Sequence, residues 1–455
     1  MTADYQHAIW SSRLVYLMAS IGAAVGLGNV WKFPYMLGNN GGAAFVAVYL
    51  LAVVFVAIPL MMAEMVIGRR GRMSPPQTLQ RLAVRAGASP RWSLLGWLGL
   101  LGIFLALSFF SVIAGWSLAY ASMTARGVFS GLEPSQVSVL FEAFLARPAP
   151  MIAWQALFIT LTVAVVMRGV NAGVEKAINL LMPGLFAMLV GLAIYAGATG
   201  ELGTALGYLF RPDLAALTPA VVLAAVGQAF FSVNVGIGAV LVYAAYLPGD
   251  VNLPRSALII AGGDTLVALL AGLVIFPMVF AFGFDPAEGP GLIFVTLSAV
   301  FGRMAGGELA GTVFFLLIFV AALTTTLAML EVLVSRAEES PRWTRRAAAP
   351  AIGAGAFVVG LATVFSFNLW SGFQPLARIP AFADATLFNL IDYAVSNVIL
   401  PLGGMLYAVF AGWRLKREDS RAQLRLAEGW FKVWLWLVRV VAPVAILAVF
   451  LGNLL

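Results

Sequence analysis

The sequence predicts an all-α integral membrane protein with about eleven transmembrane helices. Hydrophobic residues make up 62% and charged residues only 10% of the 455 positions, which is too little polar surface to cover a water-soluble globule. A spanning helix needs about 20 mostly apolar residues, and an open sheet cannot satisfy its backbone in lipid, so the apolar runs predict helices. They lie at 11–37, 41–69, 93–124, 150–167, 174–197, 218–246, 256–283, 308–336, 348–367, 385–413 and 430–453.

Loop charge predicts the orientation in the membrane. With the N-terminus cytoplasmic and the C-terminus outside, about 20 of the 27 basic residues fall on the cytoplasmic side, as the positive-inside rule requires. This bias accounts for the net charge of +7 without a nucleic-acid partner. The first apolar segment is too long and too rich in glycine for a cleaved signal, so we expect it to be retained. We expect a bacterial-type cytoplasmic (inner) membrane, with lipid as a partner.

The residue inventory argues against an enzyme. The chain has no cysteine, which excludes disulfides, thiol catalysis and cysteine metal sites, and it has no HExxH-type metal pair or His–carboxylate motif. The stretch at 290–302 is too short to span and predicts a helix within a loop.

Two predicted helices are interrupted by glycine near their middles. Gly22, Gly26 and Gly28 interrupt the first, and Gly236 and Gly238 interrupt the sixth. Such breaks in corresponding positions of two halves indicate an inverted repeat with a binding site near the bilayer midplane. Taken alone, the glycines of the first helix fit close helix packing equally well.

The polar residues beyond the first break favour binding over packing. Asn29 and Lys32 follow the glycines directly. A helix that only packs against its neighbours in lipid would not need a polar and a charged side chain there. The two breaks predict one transporter domain, 1–455, made of two five-helix repeats and one further helix. These segments are 11–197, 218–413 and 430–453.

An ordered set of motifs extends over nearly the whole chain. The set is Trp10 and Arg13, the first break, Asn40-Gly41-Gly42, Glu64, Gly68-Arg69, Gly115-Trp116, Gly227-Gln228-Ala229-Phe230-Phe231-Ser232, Leu323-Thr324-Thr325-Thr326 and Asp392-Tyr393. In this set the sequence resembles the neurotransmitter:sodium symporter family, whose fold is the LeuT type. The resemblance implies sodium-coupled transport by alternating access. A channel-like or non-transporting receptor of the same fold is the alternative.

The resemblance implies two sodium sites. The first site would use Ala24, Asn29, Ser232 and Asp264, and the second would use Gly22, Val25, Ala321, Thr324 and Thr325. Two plainer interpretations stay open. The threonine hydroxyls can bond back to their own helix, and Asp264 can be protonated and bonded to a neighbouring helix.

The resemblance also bears on chloride. Animal members of the family bind chloride with a serine on helix 7, and that position is Ala268 here. A fixed negative charge on Asp264 could balance sodium instead, so we expect no chloride requirement.

The implied substrate is a small zwitterion, most simply a neutral amino acid. Its site residues would be Ala24, Leu27, Gly28, Ala106, Phe110, Phe230, Phe231, Ser232, Asn234, Ile237, Thr325 and Met329. Gly26 stands where monoamine carriers have an aspartate, which favours a substrate with a carboxylate. Phe110 replaces a usual tyrosine and Asn234 a common serine, so a β- or γ-amino acid stays open beside an ordinary one.

The resemblance places a gate on each side of the site. The outer gate would be Lys32, Gln228, Phe230 and Asp392, and the inner gate would be His7, Trp10, Arg13, Tyr246 and Glu339. His7 stands where the family has an arginine, so it is either a solvated terminal residue or a pH-sensitive latch. Gly173 and Pro183 have the spacing at which the family's helix 5 unwinds. The oligomeric state stays open between monomer and homodimer.

Overall fold

The structure is a computed structural model that describes residues 10–211, 213–287 and 291–452, and within these ranges it is helical with no strand. Eleven long or paired helices follow the predicted order. They are α1 (Arg13–Ala24 with Gly28–Asn39), α2 (Ala43–Gly71), α3 (Pro90–Ala125), α4 (Pro148–Val166), α5 (Val170–Thr199), α6 (Pro219–Ser232 with Ala239–Ala245), α7 (Leu253–Ala281), α8 (Gly307–Glu338), α9 (Arg345–Ser366), α10 (Leu387–Arg414) and α11 (Glu428–Gly452). The predicted all-α membrane fold is confirmed.

Nine of these helices are each long and apolar enough to cross a membrane, counted over the described ranges. The two halves of α1 meet the same criterion as a pair, and α6 consists of two shorter pieces. Shorter helices connect the spans, at Pro75–Arg85, Pro134–Leu145, Leu202–Phe210, Leu292–Arg303 and Arg417–Leu424. The fourth of them is the loop helix that the sequence predicts at 290–302.

The outer helices carry large apolar side chains that none of the described residues cover. Leu180 of α5 is 75% exposed and Val444 of α11 is 61% exposed, and Ile194 and Val358 are similarly open. In water such surfaces would be costly, whereas lipid solvates them. α3 and α8 are the most deeply buried spans and form the centre of the bundle.

Two helices of the bundle are broken. The first half of α1 ends at Ala24, Val25 is extended, and the second half is inclined by 51° to the first. In α6, residues 233–238 form turns, and three of them have positive φ: Asn234 at 52°, Gly236 at 101° and Gly238 at 83°. Both glycines therefore stand where other side chains would be strained.

A buried carboxylate of α2 holds the α6 break open. The Gly236 N–H donates to Glu64 Oε1 at 2.5 Å, and Glu64 is fully buried. A helix interrupted in lipid needs partners of this kind for its freed backbone groups. In contrast, α5 is helical from Val170 through Pro183, so the structure has no break at the Gly173–Pro183 spacing.

Candidate functional site

Oxygen atoms cluster where the break of α1 meets α8. Thr325 Oγ1 lies 3.4 Å from the Gly22 carbonyl, 3.1 Å from the Val25 carbonyl and 3.2 Å from the Ala321 carbonyl. The Thr324 hydroxyl donates to the same Ala321 carbonyl at 3.0 Å. The structure thus brings together all five residues predicted for the second sodium site. Carbonyls at the C-terminal end of a half-helix carry partial negative charge, which suits a hard cation.

A second polar cluster joins α1, α6 and α7. Asn29 Nδ2 donates to Ser232 Oγ at 3.0 Å and to Asp264 Oδ1 at 2.8 Å, and the Ser232 hydroxyl donates to Asp264 Oδ2 at 2.5 Å. All three residues are at most 1% exposed. Ala24, the fourth predicted member of the first sodium site, is the buried last residue of the first half of α1.

The buried carboxylate of Asp264 in this second cluster has only neutral hydrogen-bond donors around it. Both oxygens of Asp264 accept hydrogen bonds from neutral groups, and no lysine or arginine forms an ion pair with Asp264 in the part of the chain that the structure describes. An ionised carboxylate buried among neutral donors is costly unless a cation joins it. The oxygens of Asn29, Ser232 and Asp264 fit a sodium ion in this respect.

A small cavity of about 40 Å³ lies beside the second half of α1. Four predicted substrate residues line it: Leu27, Gly28, Phe110 and Phe231. A water needs roughly 10–15 Å³ of such space, so the cavity has room for only a few waters and not for an amino acid. The remaining apolar positions of the predicted substrate set are buried in the core. They are Ala24, Ala106, Phe230, Ile237 and Met329.

Two predicted residues at the breaks contact the opposite broken helix or α8. Asn234 Nδ2 donates to the Ala23 carbonyl at 2.7 Å, so its side chain bridges the break of α6 to that of α1. A Cβ on Gly26 would lie 2.5 Å from Thr325 Oγ1. The site therefore has no room for the acidic side chain that monoamine carriers have at this position.

Two of the four predicted outer-gate residues line the same cavity. Lys32 and Asp392 both line it, but they form no direct ion pair within 4 Å. Lys32 Nζ instead lies 3.8 Å from the centre of the Phe231 ring, a cation–π contact, while Asp392 accepts a hydrogen bond from Ser396. Gln228 Nε2 donates to the Gly28 carbonyl at 2.9 Å.

Trp10 closes the opposite end of the broken pair. Its Nε1 donates to the Tyr243 carbonyl at 3.0 Å, and its ring packs edge-on against the Tyr243 ring at 5.1 Å. Arg13 is exposed, and His7 lies outside the described residues. Glu339 accepts hydrogen bonds from the Ser74 N–H and hydroxyl. Burial raises the pKa of Glu339 above its usual value.

One ionic network at this end was not predicted. Arg345 donates to both oxygens of Glu331, at 2.6 and 2.9 Å, and to both oxygens of Glu338, at 3.1 and 2.6 Å. The Tyr246 hydroxyl donates to Glu331 Oε1 at 3.1 Å. Glu331 is a fully buried carboxylate inside an apolar helix, and that alone signals a buried cationic partner.

Comparisons with known proteins agree with this geometry. The family model described as Sodium:neurotransmitter symporter family matches residues 7–129 and 146–455, and the chain belongs to this family. It is 36% identical over 447 residues to the uncharacterized sodium-dependent transporter YhdH of Bacillus subtilis, covering 97% of each chain. It is 32% identical over 461 residues to an uncharacterized sodium-dependent transporter of Haemophilus influenzae, covering 100% of this chain and 99% of the other.

A solved structure is also similar to this chain in sequence and in fold. The crystal structure of MhsT in complex with L-phenylalanine superposes with a TM-score of 0.88 at 39% identity, over 98% of this chain and 100% of that chain. The protein is therefore a multi-pass, sodium-dependent transporter. Its family consists of transporters, not of enzymes.

Proposed function

We propose that the protein is a sodium-coupled symporter of a neutral amino acid or a closely related zwitterion, working by alternating access. The observation that carries the proposal is the buried cluster of Asn29, Ser232 and Asp264, which joins the two broken helices to α7. A cation bound there would contact both breaks at once. Binding free energy could then act on the arrangement of α1 and α6, as coupled transport requires.

Two sodium ions fit the two oxygen clusters. One would bind at Asn29, Ser232, Asp264 and the Ala24 carbonyl, next to the substrate carboxylate. The other would bind between the α1 break and Thr324 and Thr325 of α8. The two clusters share the break of α1 and join it to different helices, so both ions could be required for one closed arrangement of the bundle.

The surroundings of the cavity favour a neutral, largely apolar substrate. Beside Phe110 and Phe231, its lining includes Phe109, Ile113 and Phe388, which offer no charge to a substrate side chain. The two charged residues of the lining, Lys32 and Asp392, belong to the proposed outer gate. The second half of α1 starts at Gly28, and the N-terminal end of a helix attracts a carboxylate. MhsT, crystallised with L-phenylalanine, has the same fold.

We propose that transport does not need chloride. Asp264 supplies a negative charge within the cluster, and Ala268, on the same helix, has no hydroxyl to offer an anion. Uptake should therefore be unchanged when gluconate replaces chloride. A strict chloride requirement would contradict this part of the proposal without affecting sodium coupling.

The test is uptake into proteoliposomes. A thermal-shift screen of purified protein against amino acids and related zwitterions, with and without sodium, first identifies ligands by the stabilisation that binding gives. Each ligand is then offered to proteoliposomes with an inward sodium gradient or a matched potassium gradient. A symporter accumulates the ligand only with sodium. Ligand binding without accumulation would instead indicate a receptor, and equilibration without accumulation a channel.

A further inference from the structure

A cavity of about 460 Å³ lies at one end of the bundle, far along the chain from the broken helices. Its walls are the last turn of α10, the connecting helix Arg417–Leu424 and the first three turns of α11. The connecting helix is held to the end of α2, because Arg70 forms an ion pair with Asp419 at 2.7 Å and Arg69 donates to Gln423. The cavity thus shares its end of the molecule with the basic loop after α2.

Exposed tryptophans place the cavity at the level of the membrane surface. Trp413 and Trp436 line it and are 60% and 57% exposed, and Trp430, six residues before Trp436, is 70% exposed. Tryptophans exposed at the ends of spanning helices lie at the level of the lipid headgroups. The cavity therefore opens where the bilayer meets water.

The charged part of the lining is suited to a phosphate. The lining contains four basic residues and two carboxylates: Arg417, Arg421, Lys432, Arg439, Glu418 and Glu428. Glu428 is already paired with Arg421 at 2.7 Å and with Lys432 at 3.5 Å. In the part of the chain that the structure describes, no carboxylate lies within 4 Å of the Arg417 or Arg439 guanidinium.

Arg439 is held in place with most of its donors free. Its Nε donates to the Gly412 carbonyl at 2.6 Å, and its guanidinium lies 5.1 Å from the centre of the Trp413 ring. Four of the five N–H groups of its planar fork remain for a ligand, and that fork matches a phosphate in bidentate geometry.

An apolar stripe continues from the cavity along α11. Trp436, Val440, Val444, Leu447 and Leu451 are exposed, and their spacing of four, four, three and four residues puts them on one helix face. The stripe is about 22 Å long at the rise of an α-helix. A soluble anion would not contact this apolar surface, whereas the acyl chain of a lipid would lie along it.

We propose that this cavity binds the phosphate headgroup of an anionic phospholipid, with Arg417 and Arg439 contacting the phosphate and an acyl chain lying along α11. The lipid would link α10, α11 and, through Asp419, the end of α2.

The experiment uses the purified full-length chain, stripped of lipid in detergent. Dioleoylphosphatidylglycerol is titrated while native mass spectrometry counts bound lipid and the melting temperature is followed. The expected result is one retained phosphatidylglycerol and a raised melting temperature, with little effect from dioleoylphosphatidylcholine, inorganic phosphate or glycerol 3-phosphate. Equal effects of the neutral lipid would overturn the proposal, and so would equal effects of free phosphate, which would indicate a soluble-anion site.

Paired variants test the residues. Arg417→Gln with Arg439→Gln should weaken phosphatidylglycerol binding roughly thirtyfold, from two basic contacts near the surface. The matched control is Arg414→Gln with Lys416→Gln, which removes the same charge between the end of α10 and the connecting helix but outside the cavity lining. It should change binding by less than about threefold. An equal loss in both pairs would show a diffuse electrostatic attraction and refute the site. Size-exclusion profiles and circular dichroism check that both pairs fold.

Discussion

Replacing Asp264 by asparagine is the sharpest test of the proposed first sodium site. The side chain is fully buried, and its two oxygens accept hydrogen bonds from Asn29 and Ser232. Asparagine has the same shape and keeps one of the two acceptors, while the Ser232 hydroxyl can rotate to accept from the new amide. Since the change also removes a buried charge, we expect the variant to fold and to melt at a similar temperature without sodium.

The loss of sodium affinity should be large. Two unit charges about 4 Å apart interact by about 4 kcal/mol at the effective dielectric of about 20 that suits protein sites. The asparagine carbonyl remains a ligand and recovers about 1 kcal/mol, the size of one hydrogen bond. About 3 kcal/mol remains, which corresponds to roughly a 100-fold increase in the sodium concentration for half-saturation.

The assay is sodium-dependent thermal stabilisation without substrate, at constant ionic strength kept with N-methyl-glucamine. Asp392→Asn is the matched control, because it removes a different carboxylate, one that lines the cavity and forms no hydrogen bond with Asn29 or Ser232. Its sodium dependence should stay within about threefold of the unmodified protein. If Asp264→Asn also stays within threefold, the charge of Asp264 does not bind sodium and the proposed site is wrong.

Three further predictions follow from the same contacts. Thr325→Val, which removes the hydroxyl facing three carbonyls, should weaken sodium-dependent stabilisation by at least tenfold while Thr325→Ser does not; equal effects would mean that the hydroxyl is not a ligand. Arg345→Gln should lower stability by about 3–5 kcal/mol in denaturant melts because Glu331 loses its cation, and Arg345→Gln with Glu331→Gln should recover most of it; no recovery would place the cost elsewhere. Asp264→Asn with Ala268→Ser should make proteoliposome uptake depend on chloride, and uptake unaffected by gluconate would contradict the proposed charge balance.

Hydropathy and glycine spacing predicted the fold because lipid leaves the backbone few alternatives. Each predicted span coincides with a helix or a broken pair of helices. The break of α6 contains both predicted glycines, Gly236 and Gly238, whereas that of α1 contains only Gly26 of the predicted three. The limits of the helices were less well predicted. The predicted span starts at 174, where the continuous apolar run begins, whereas α5 begins at Val170. A π-helical turn, Val170–Glu175, extends the helix beyond that run.

The clusters around Thr325 and Asp264 could be proposed from the sequence because each contains a polar group that an apolar helix does not otherwise need. The Arg345 network could be proposed only in part, because Glu331 in an apolar helix indicates a buried cationic partner but does not identify it. Arg345 lies in a basic loop where arginine is expected, and only the packing of α9 against α8 shows that its guanidinium enters the bundle. The resemblance likewise placed Lys32 and Asp392 together in the outer gate, whereas the ring of Phe231 is the nearer partner of Lys32.

Under the proposed function, the contacts between the broken helices would let a small ion influence a large rearrangement. Asn234 bonds to the Ala23 carbonyl, Asn29 bonds to Ser232, and Trp10 bonds to the Tyr243 carbonyl, so α1 and α6 are joined at both breaks and at one end. A cation placed between Asn29 and Asp264 would replace hydrogen bonds that now join these helices to α7. The ion would thereby stabilise one arrangement of the α1 and α6 pair relative to the rest of the bundle, and a difference in affinity between arrangements is the only means by which a ligand can shift a conformational equilibrium.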